Sequence, residues 1–392
     1  MNALERLDAW LPLPEEERML LASVQNLART QIAPRAEHYD RSAEFPWGNV
    51  KAINGLGLNA MFIPEAYGGA PMSYSAYLAC VREISKACAS TGIIWATNFH
   101  GIKPVITYGS EEQKRRLLPR VAEGGLVSLV ITEAGAGSDA TGMKTRFEPQ
   151  GEDILVSGSK IFITSGDVAD LLLVFGKWSG IADAKGAISA LVVEKGTPGL
   201  SVLRTEDKLG HRASSTAALT FDGCRVPRAN LLGKPGDGLK ILLASLNKSR
   251  PSVAAHALGI ARGAFEDAAA YINERRQSGR RIIEFQGIQF MLADLASELA
   301  LCERWLWHVG ALVDAGVDDM GIEASMLKLR ATDLAMRMAT DAVQLYGGYG
   351  YCKDYRVERL LRDAKITQIW EGTNQVHRQL IGRSFMKKGG AA

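Results

Sequence analysis

The stretch GLVSLVITEAGAGSD, residues 125–139, marks a change of texture in the chain. Before it, apolar residues recur at helical spacing; from it to about residue 233 they fall in short β-rich runs. Those runs are LVSLVIT, DILVSGSKIFITS, LLLVFGKW, GAISALVVEK and STAALTFDGCRVP, separated by turns rich in Gly, Asp and Lys. Such a pattern predicts an antiparallel barrel or sandwich. The end of the stretch, GAGSDA (135–140), satisfies the spacing G-x-G-x-x-A of dinucleotide-binding turns and follows a strand. The residues after it, TGMKTRFEPQGEDILVSG, read as turn and strand, whereas that motif needs a helix to receive the pyrophosphate. A backbone-exposing turn that offers N–H groups to an oxygen-rich ligand and a plain tight turn both remain open.

Outward in both directions the chain is helical. PEEERMLLASVQNLARTQIAPRAEHYDR carries one apolar face and acidic residues in its first turn. Shorter helices follow over YSAYLACVREISKAC, GIIWATNFHGIKPVITYG and SEEQKRRLLPRVAEG, the last opened by a Ser110–Gln113 capping box. Beyond Gly233, helical runs cover 238–276, 283–314, 322–345 and 374–384, and their length and short connections predict an antiparallel bundle. The fold class is α+β, with an N-terminal helical domain (1–123), a middle antiparallel β domain (124–233) and a C-terminal four-helix bundle (234–392).

Bulk properties exclude several functions. With 47% hydrophobic and 23% charged residues, the chain has the composition of an ordinary soluble globular protein. A net charge of +3, without long Lys/Arg runs, gives no reason to expect nucleic acid or a membrane surface as partner. Cys80, Cys88, Cys224, Cys302 and Cys352 are odd in number and form no CxxC, which fits reduced thiols and a cytoplasmic location. No apolar run is long enough for a transmembrane helix, and the N-terminus lacks the pattern of a signal peptide. Neither a Walker motif nor HExxH occurs, and His/Cys clustering is absent, so no metal site is expected.

The most informative short segment is QIWEGTNQ, 368–375. Val376, Leu380 and Ile381 resume helical spacing after it, which makes Thr373 an N-cap and Gly372 the bend leading into it. Glu371 is then a carboxylate just outside a helix N-terminus, between the Trp370 ring and a residue with no side chain.

Several blocks occur here in the order found in acyl-CoA dehydrogenases. They are VITEAGAGSDATGMKT, KIFITSGDVAD, LGHRASSTAALTFDGCRVP, NKSRPSVAAHALGIARGAFEDAAAYINERRQSG, FQGIQFMLADLA and QLYGGYGYCKDYRVERLLRDAKITQIWEGTNQVHRQLIGR. The resemblance spans essentially the whole chain and matches the helix–β–helix order. It implies an FAD-dependent enzyme that forms the trans-2-enoyl thioester from an acyl-CoA. Glu371 would abstract the alpha proton while the beta hydride passes to flavin N5. The flavin would meet Leu129, Ile131, Thr132 and Ser138, with Phe162 and Thr164 covering its other side. Arg275, Phe285, Gln286, Gln344 and Gly348 would reach the FAD of a neighbouring subunit in a homotetramer, and Thr373 and Gln375 would hold the cofactor near the base. Asn247, Arg250, Trp370 and Gly372, together with Ser138, would contact the thioester substrate. Ser278 stands where the family usually carries Phe.

One branch of the family places its base on the long bundle helix, a position held here by Ser249, which cannot abstract a proton of this kind. The chemistry fits Glu371: removing a proton alpha to a thioester needs a close base and stabilisation of the developing enolate oxygen. The resemblance further implies electron-transferring flavoprotein as acceptor. Alternatives of the same fold are an oxidase, an enoyl-CoA reductase and a carrier-protein-linked dehydrogenase; a flavoprotein that binds nucleic acid would carry extra length and basic surface. Trp95 and Phe99 in GIIWATNFH either limit the depth of the acyl pocket or face the core. Gly92 aligns with the arginine of glutaryl-CoA dehydrogenases, which disfavours decarboxylation.

Overall fold

A computed structural model describes residues 3–9 and 11–386. The N-terminal part contains α1 (Ala3–Ala9), α2 (Glu15–Leu27), α3 (Ala33–Ser42), α4 (Trp47–Gly55), α5 (Tyr74–Ala87), α6 (Ala89–Tyr108) and α7 (Glu111–Ala122). The capping box of α7 forms as expected, with the Ser110 hydroxyl accepting from Gln113 N–H and the Gln113 side chain accepting from Ser110 N–H. Between α2 and α3 the helix does not break but widens into a π turn over Ala28–Ile32.

Strands β1 (Val127–Val130), β2 (Arg146–Gln150), β3 (Asp153–Thr164), β4 (Leu171–Trp178), β5 (Ile188–Glu194), β6 (Leu200–Thr205), β7 (Thr216–Pro227) and β8 (Leu231–Leu232) form one sheet. Its order is β6-β7-β3-β2-β4-β5-β8, with β1 added alongside β4. Most pairings are antiparallel, but β4 runs parallel to both β1 and β2. The strand pattern predicts the strands and not this detail, because side-chain alternation says which face is buried and nothing about a neighbour's direction.

Strand β4 explains how the sheet is seated. Leu171, Leu173 and Phe175 join a core with Ile102, Val105, Leu117, Leu118 and Ile241 of α6, α7 and the following domain. The alternate residues Leu172, Val174 and Trp178 join Phe147, Val156, Leu219 and Phe221 on the other face. With both faces covered, the run LLLVFGKW is nearly continuous in apolar character.

The C-terminal part holds α8 (Gly238–Glu274), a short hairpin of β9 (Arg276–Gln277) and β10 (Arg280–Arg281), then α9 (Gln286–Asp314), α10 (Gly321–Tyr346), α11 (Val357–Thr367) and α12 (Asn374–Ser384). The expected four-helix bundle is therefore built from three long helices closed by two short ones, α11 being the addition. Helices α5, α6, α8, α9 and α10 share one apolar core. Within it lies a buried ion network: Arg82 reaches Asp8, Glu83 and Glu303, and Arg262 reaches Asp8, Glu266 and Glu303. Breaking such a network by deleting one partner strands a buried charge, which is where most of its cost lies.

Candidate active site

The segment 368–375 folds into a closed turn: Asn374 N–H donates to the Gln368 carbonyl at 3.0 Å. Thr373 is the N-cap of α12, and its hydroxyl accepts from Val376 N–H at 3.3 Å. Gly372 has φ +95°, as a bend glycine should, but Glu371 is also left-handed, at φ +54°. A left-handed non-glycine residue is strained, and such strain persists only where the surroundings impose it.

Those surroundings come from three helices. From α8, the Ser249 hydroxyl donates to Glu371 Oε2 at 2.7 Å. From α6, His100 Nδ1 lies 4.0 Å from Glu371 Oε1, while its Nε2 pairs with the Ser252 hydroxyl. Burial pushes His100 below the usual histidine range, with Glu371 opposing. From α10, Lys328 Nζ donates to the Gly372 carbonyl at 2.7 Å and to Asn374 Oδ1 at 3.0 Å. Burial drags the Lys328 ammonium down to about 7. The Glu371 side chain itself stays 17% exposed among groups that are almost wholly enclosed, so the carboxylate is held but reachable. Ser249, Lys328 and His100 were not singled out as partners of the base by the sequence reading.

Trp370 packs its ring against His211 and His256, at centroid distances of 5.1 and 5.6 Å. These two histidines pair through Nε2 at 2.8 Å, and His256 Nδ1 meets the Ser85 hydroxyl at 2.8 Å. His211 lies in the loop between β6 and β7, so the pair ties the β domain to the turn that carries the base. Arg250 is buried, with its Nε unpartnered and its NH1 only 3.5 Å from Asn247 Oδ1. Its burial lowers its hold on the proton, with the Glu371 charge opposing. Helix α12 buries His377 and Asn374, whereas Val376, Leu380 and Ile381, whose spacing predicts the helix, are only half-covered. Both His377 ring nitrogens lie buried without a partner, directly under Gly372.

The two β segments expected to meet the flavin converge. Ile161 N–H donates to the Thr132 carbonyl at 2.9 Å, and the Ser128 hydroxyl donates to the Thr164 carbonyl at 2.7 Å. Leu129, Ile131 and Thr132 at the end of β1 therefore sit beside Phe162 and Thr164 at the end of β3. The turn after β1 is pinned from below: buried Lys160 donates to the Ile131 carbonyl at 2.7 Å and pairs with Glu133 at 2.9 Å. Glu133 in turn accepts from the backbone N–H of Lys144 and Thr145. Ser138 is exposed on that turn. Phe162, at φ +58°, is 60% exposed. An exposed phenyl ring on a strained residue beside a rigid polar turn is a platform for a flat, partly apolar group, and the residues present fit a flavin. Ser165, next along, has a buried hydroxyl without a partner.

A separate cavity of about 550 Å³ gathers Arg275, Gln344 and Gly348 with Tyr271, Ile282 and Ile288. Phe285 and Gln286 stand at the start of α9 between the two isoleucines, and Gln375 is exposed on α12. Ser278 and Gly279 make the two-residue turn of the β9–β10 hairpin, both with positive φ. Among the described residues no cluster of three or more His, Cys, Asp or Glu could hold a metal.

Comparison with known proteins identifies the family. Family models described as the N-terminal, middle and C-terminal domains of acyl-CoA dehydrogenase match residues 14–125, 128–224 and 236–386. The chain belongs to the acyl-CoA dehydrogenase family. It is 44% identical over 374 residues to an acyl-CoA dehydrogenase of Bacillus subtilis, covering 95% of this chain and 98% of the relative. It is similar to the structure of butyryl-CoA dehydrogenase from Megasphaera elsdenii, with a TM-score of 0.93, 34% identity and coverage of 96% and 99%. A glutaryl-CoA dehydrogenase from Mycobacterium smegmatis in complex with FADH2 superimposes with a TM-score of 0.90 at 28% identity, covering 100% of this chain and 98% of the other. An acyl-CoA dehydrogenase acts on a CH–CH bond of its thioester substrate, and the helix–β–helix order read from the sequence is the order of the family's three domains.

Proposed function

We propose that this acyl-CoA dehydrogenase forms the trans-2-enoyl thioester with Glu371 as the base that removes the alpha proton. The observation that carries the reading is the carboxylate itself: reachable, on a left-handed turn, and held by Ser249 at 2.7 Å. Bound FAD would take up the hydride equivalent from the beta carbon. Leu129, Ile131, Thr132, Ser138, Phe162 and Thr164 would hold its ring system, with Thr373 and Gln375 nearby. Arg275, Gln344 and Gly348 would receive the adenine end of a neighbouring subunit's cofactor in a homotetramer, with Phe285 and Gln286 at the rim. The cavity those residues share supports this reading, since it contains a cation suited to a pyrophosphate. Asn247, Arg250, Trp370 and Gly372 would bound the thioester. Electron-transferring flavoprotein would re-oxidise the enzyme. Among the described residues no helix is long and apolar enough to cross a membrane.

The acyl group is proposed to be small. Trp95 and Phe99 are buried and pack with Phe62, Tyr74 and Tyr77 in one aromatic cluster, Tyr77–Phe99 at 4.6 Å and Tyr77–Trp95 at 5.4 Å. Rings packed this closely are costly to displace, so they bound any pocket beneath the base. Decarboxylation is disfavoured because Gly92 stands where glutaryl-CoA dehydrogenases carry an arginine. Ser85 fills the space beside it, since a Cβ at Gly92 would lie 2.1 Å from Ser85 Oγ.

The test is Glu371→Gln. The variant should fold, retain FAD and bind enoyl-CoA, while acyl-CoA fails to bleach the flavin anaerobically and solvent deuterium no longer enters the alpha position. The loss should exceed the roughly 10²–10⁴ typical of general-base assistance, because the carbon acid is weak. Near-normal bleaching would assign the proton to another residue.

A further inference from the structure

The turn that carries the base is tied at both ends to α10, and the tie includes a lysine with no accessible surface. Lys328 Nζ bonds the Gly372 carbonyl and Asn374 Oδ1. One turn on, Asn374 Nδ2 donates to Thr332 Oγ1 at 2.9 Å and to Asp333 Oδ1 at 2.7 Å. Asp333 also accepts from the Gln368 amide at 2.7 Å and from Arg378 at 2.7 Å, so both ends of the turn are tied to one carboxylate. Gly372 is the residue next to the base, and Lys328 is the donor that holds its carbonyl.

We propose that Lys328 is a positioning residue of the reaction: by holding the Gly372 carbonyl and Asn374 it fixes the left-handed turn that presents Glu371. The inference rests on Glu371 being the base. A neutral donor would hold the Gly372 carbonyl at lower cost, since burying an ammonium is expensive. Here burial works against the charge, and Arg250 of α8 adds repulsion. The attractions that oppose them come first from Glu371 and then from Asp333. With or without its charge, Lys328 donates to the carbonyl of the residue that follows the base, and that bond fixes the turn.

The experiment follows exchange of the alpha proton with solvent deuterium in a panel of short acyl-CoAs, using the FAD-loaded enzyme and separating kcat from KM. Lys328→Gln, which keeps a donor and removes the charge, should retain FAD and exchange within a few-fold of the unaltered enzyme. Lys328→Met removes donor and charge, and should lose about 10²-fold, the scale of a base misplaced by about 1 Å. A Lys328→Gln enzyme as slow as Lys328→Met overturns the proposal, as does a Lys328→Met enzyme with full activity. If the methionine variant fails to fold, Lys328→Ala takes its place in the comparison. Glu371→Gln in the same assay separates the two readings: if it still exchanges, the base assignment fails. If it is silent while both Lys328 variants behave as the unaltered enzyme, only the role of Lys328 falls.

Discussion

Gly372→Ala tests whether the geometry of the turn, rather than the presence of a carboxylate, sets the rate. At φ +95° an alanine is strained, at a cost on the order of 1–3 kcal/mol. The added Cβ would also stand 3.1 Å from His377 Nε2 and 3.4 Å from its Cε1, so the imidazole must give by a few tenths of an ångström. Neither strain relaxes freely. Rotating the peptide would take the Gly372 carbonyl from Lys328, 2.7 Å away, and His377 is walled in on α12 with no exposed surface. The displacement is then passed to the neighbouring residue, Glu371, where an error of about 1 Å costs about 10²-fold in rate. Stopped-flow bleaching of the flavin by a short acyl-CoA under anaerobic conditions reads this directly, with thermal unfolding alongside. The expected result is full FAD content, a lowered Tm and about a 10²-fold slower reductive phase with little change in saturation. A folded variant that bleaches at the normal rate would refute the argument. Adding His377→Ala should recover little, since it removes the contact and leaves the φ strain.

Ser249→Ala deletes the hydroxyl that donates to Glu371 Oε2 at 2.7 Å. Without that donor the carboxylate is less well oriented, so kcat should fall on the order of ten-fold, while Ser249→Thr keeps the donor and recovers part of it. Acid should destabilise the fold through its histidines. Burial holds His256 and His377 at about 3 against 6.5 when unfolded, so the unfolded chain binds more protons between those values. Their contribution is complete above about 6.5 and is lost as pH falls toward 3. The slope of Tm against pH between 6.5 and 4 should flatten in His377→Gln, and an unchanged slope would contradict the buried neutral state.

What the sequence could and could not disclose follows from the range of each interaction. The Thr373 cap, the Gly372 bend and the Ser110–Gln113 box are local, and each forms where its residues stand. Helix α12 begins and ends as read, at 374 and 384, but its buried face is the polar one, because Asn374 and His377 meet α10 and the base turn. Helix α11 was missed because ERLLRDAK is rich in charge; Val357, Leu360 and Ala364 form its buried stripe, and Arg362 is neutralised by Asp40 and Glu358. Lys328 did leave a signal. It lies on the same stripe as buried Ala324, Ala331 and Ala335, and a lysine on an apolar helix face calls for a partner. Its partner lies 44 residues along the chain, which periodicity does not reach.

Ser249 illustrates the same limit from the other side. The sequence excludes it as a base, since a hydroxyl is too weak an acceptor for a carbon-bound proton. The structure gives it a different part, because its hydroxyl meets Glu371 Oε2. Two candidate positions for a base, one on a long helix and one on a turn, thus converge on a single point in space. A carboxylate at both would set like charges within hydrogen-bonding distance, where they oppose each other's ionisation. A small donor at 249 avoids that repulsion and fills the position, and it orients the carboxylate that remains. The identity of residue 249 is therefore a consequence of where residue 371 is held, and the two are constrained as a pair.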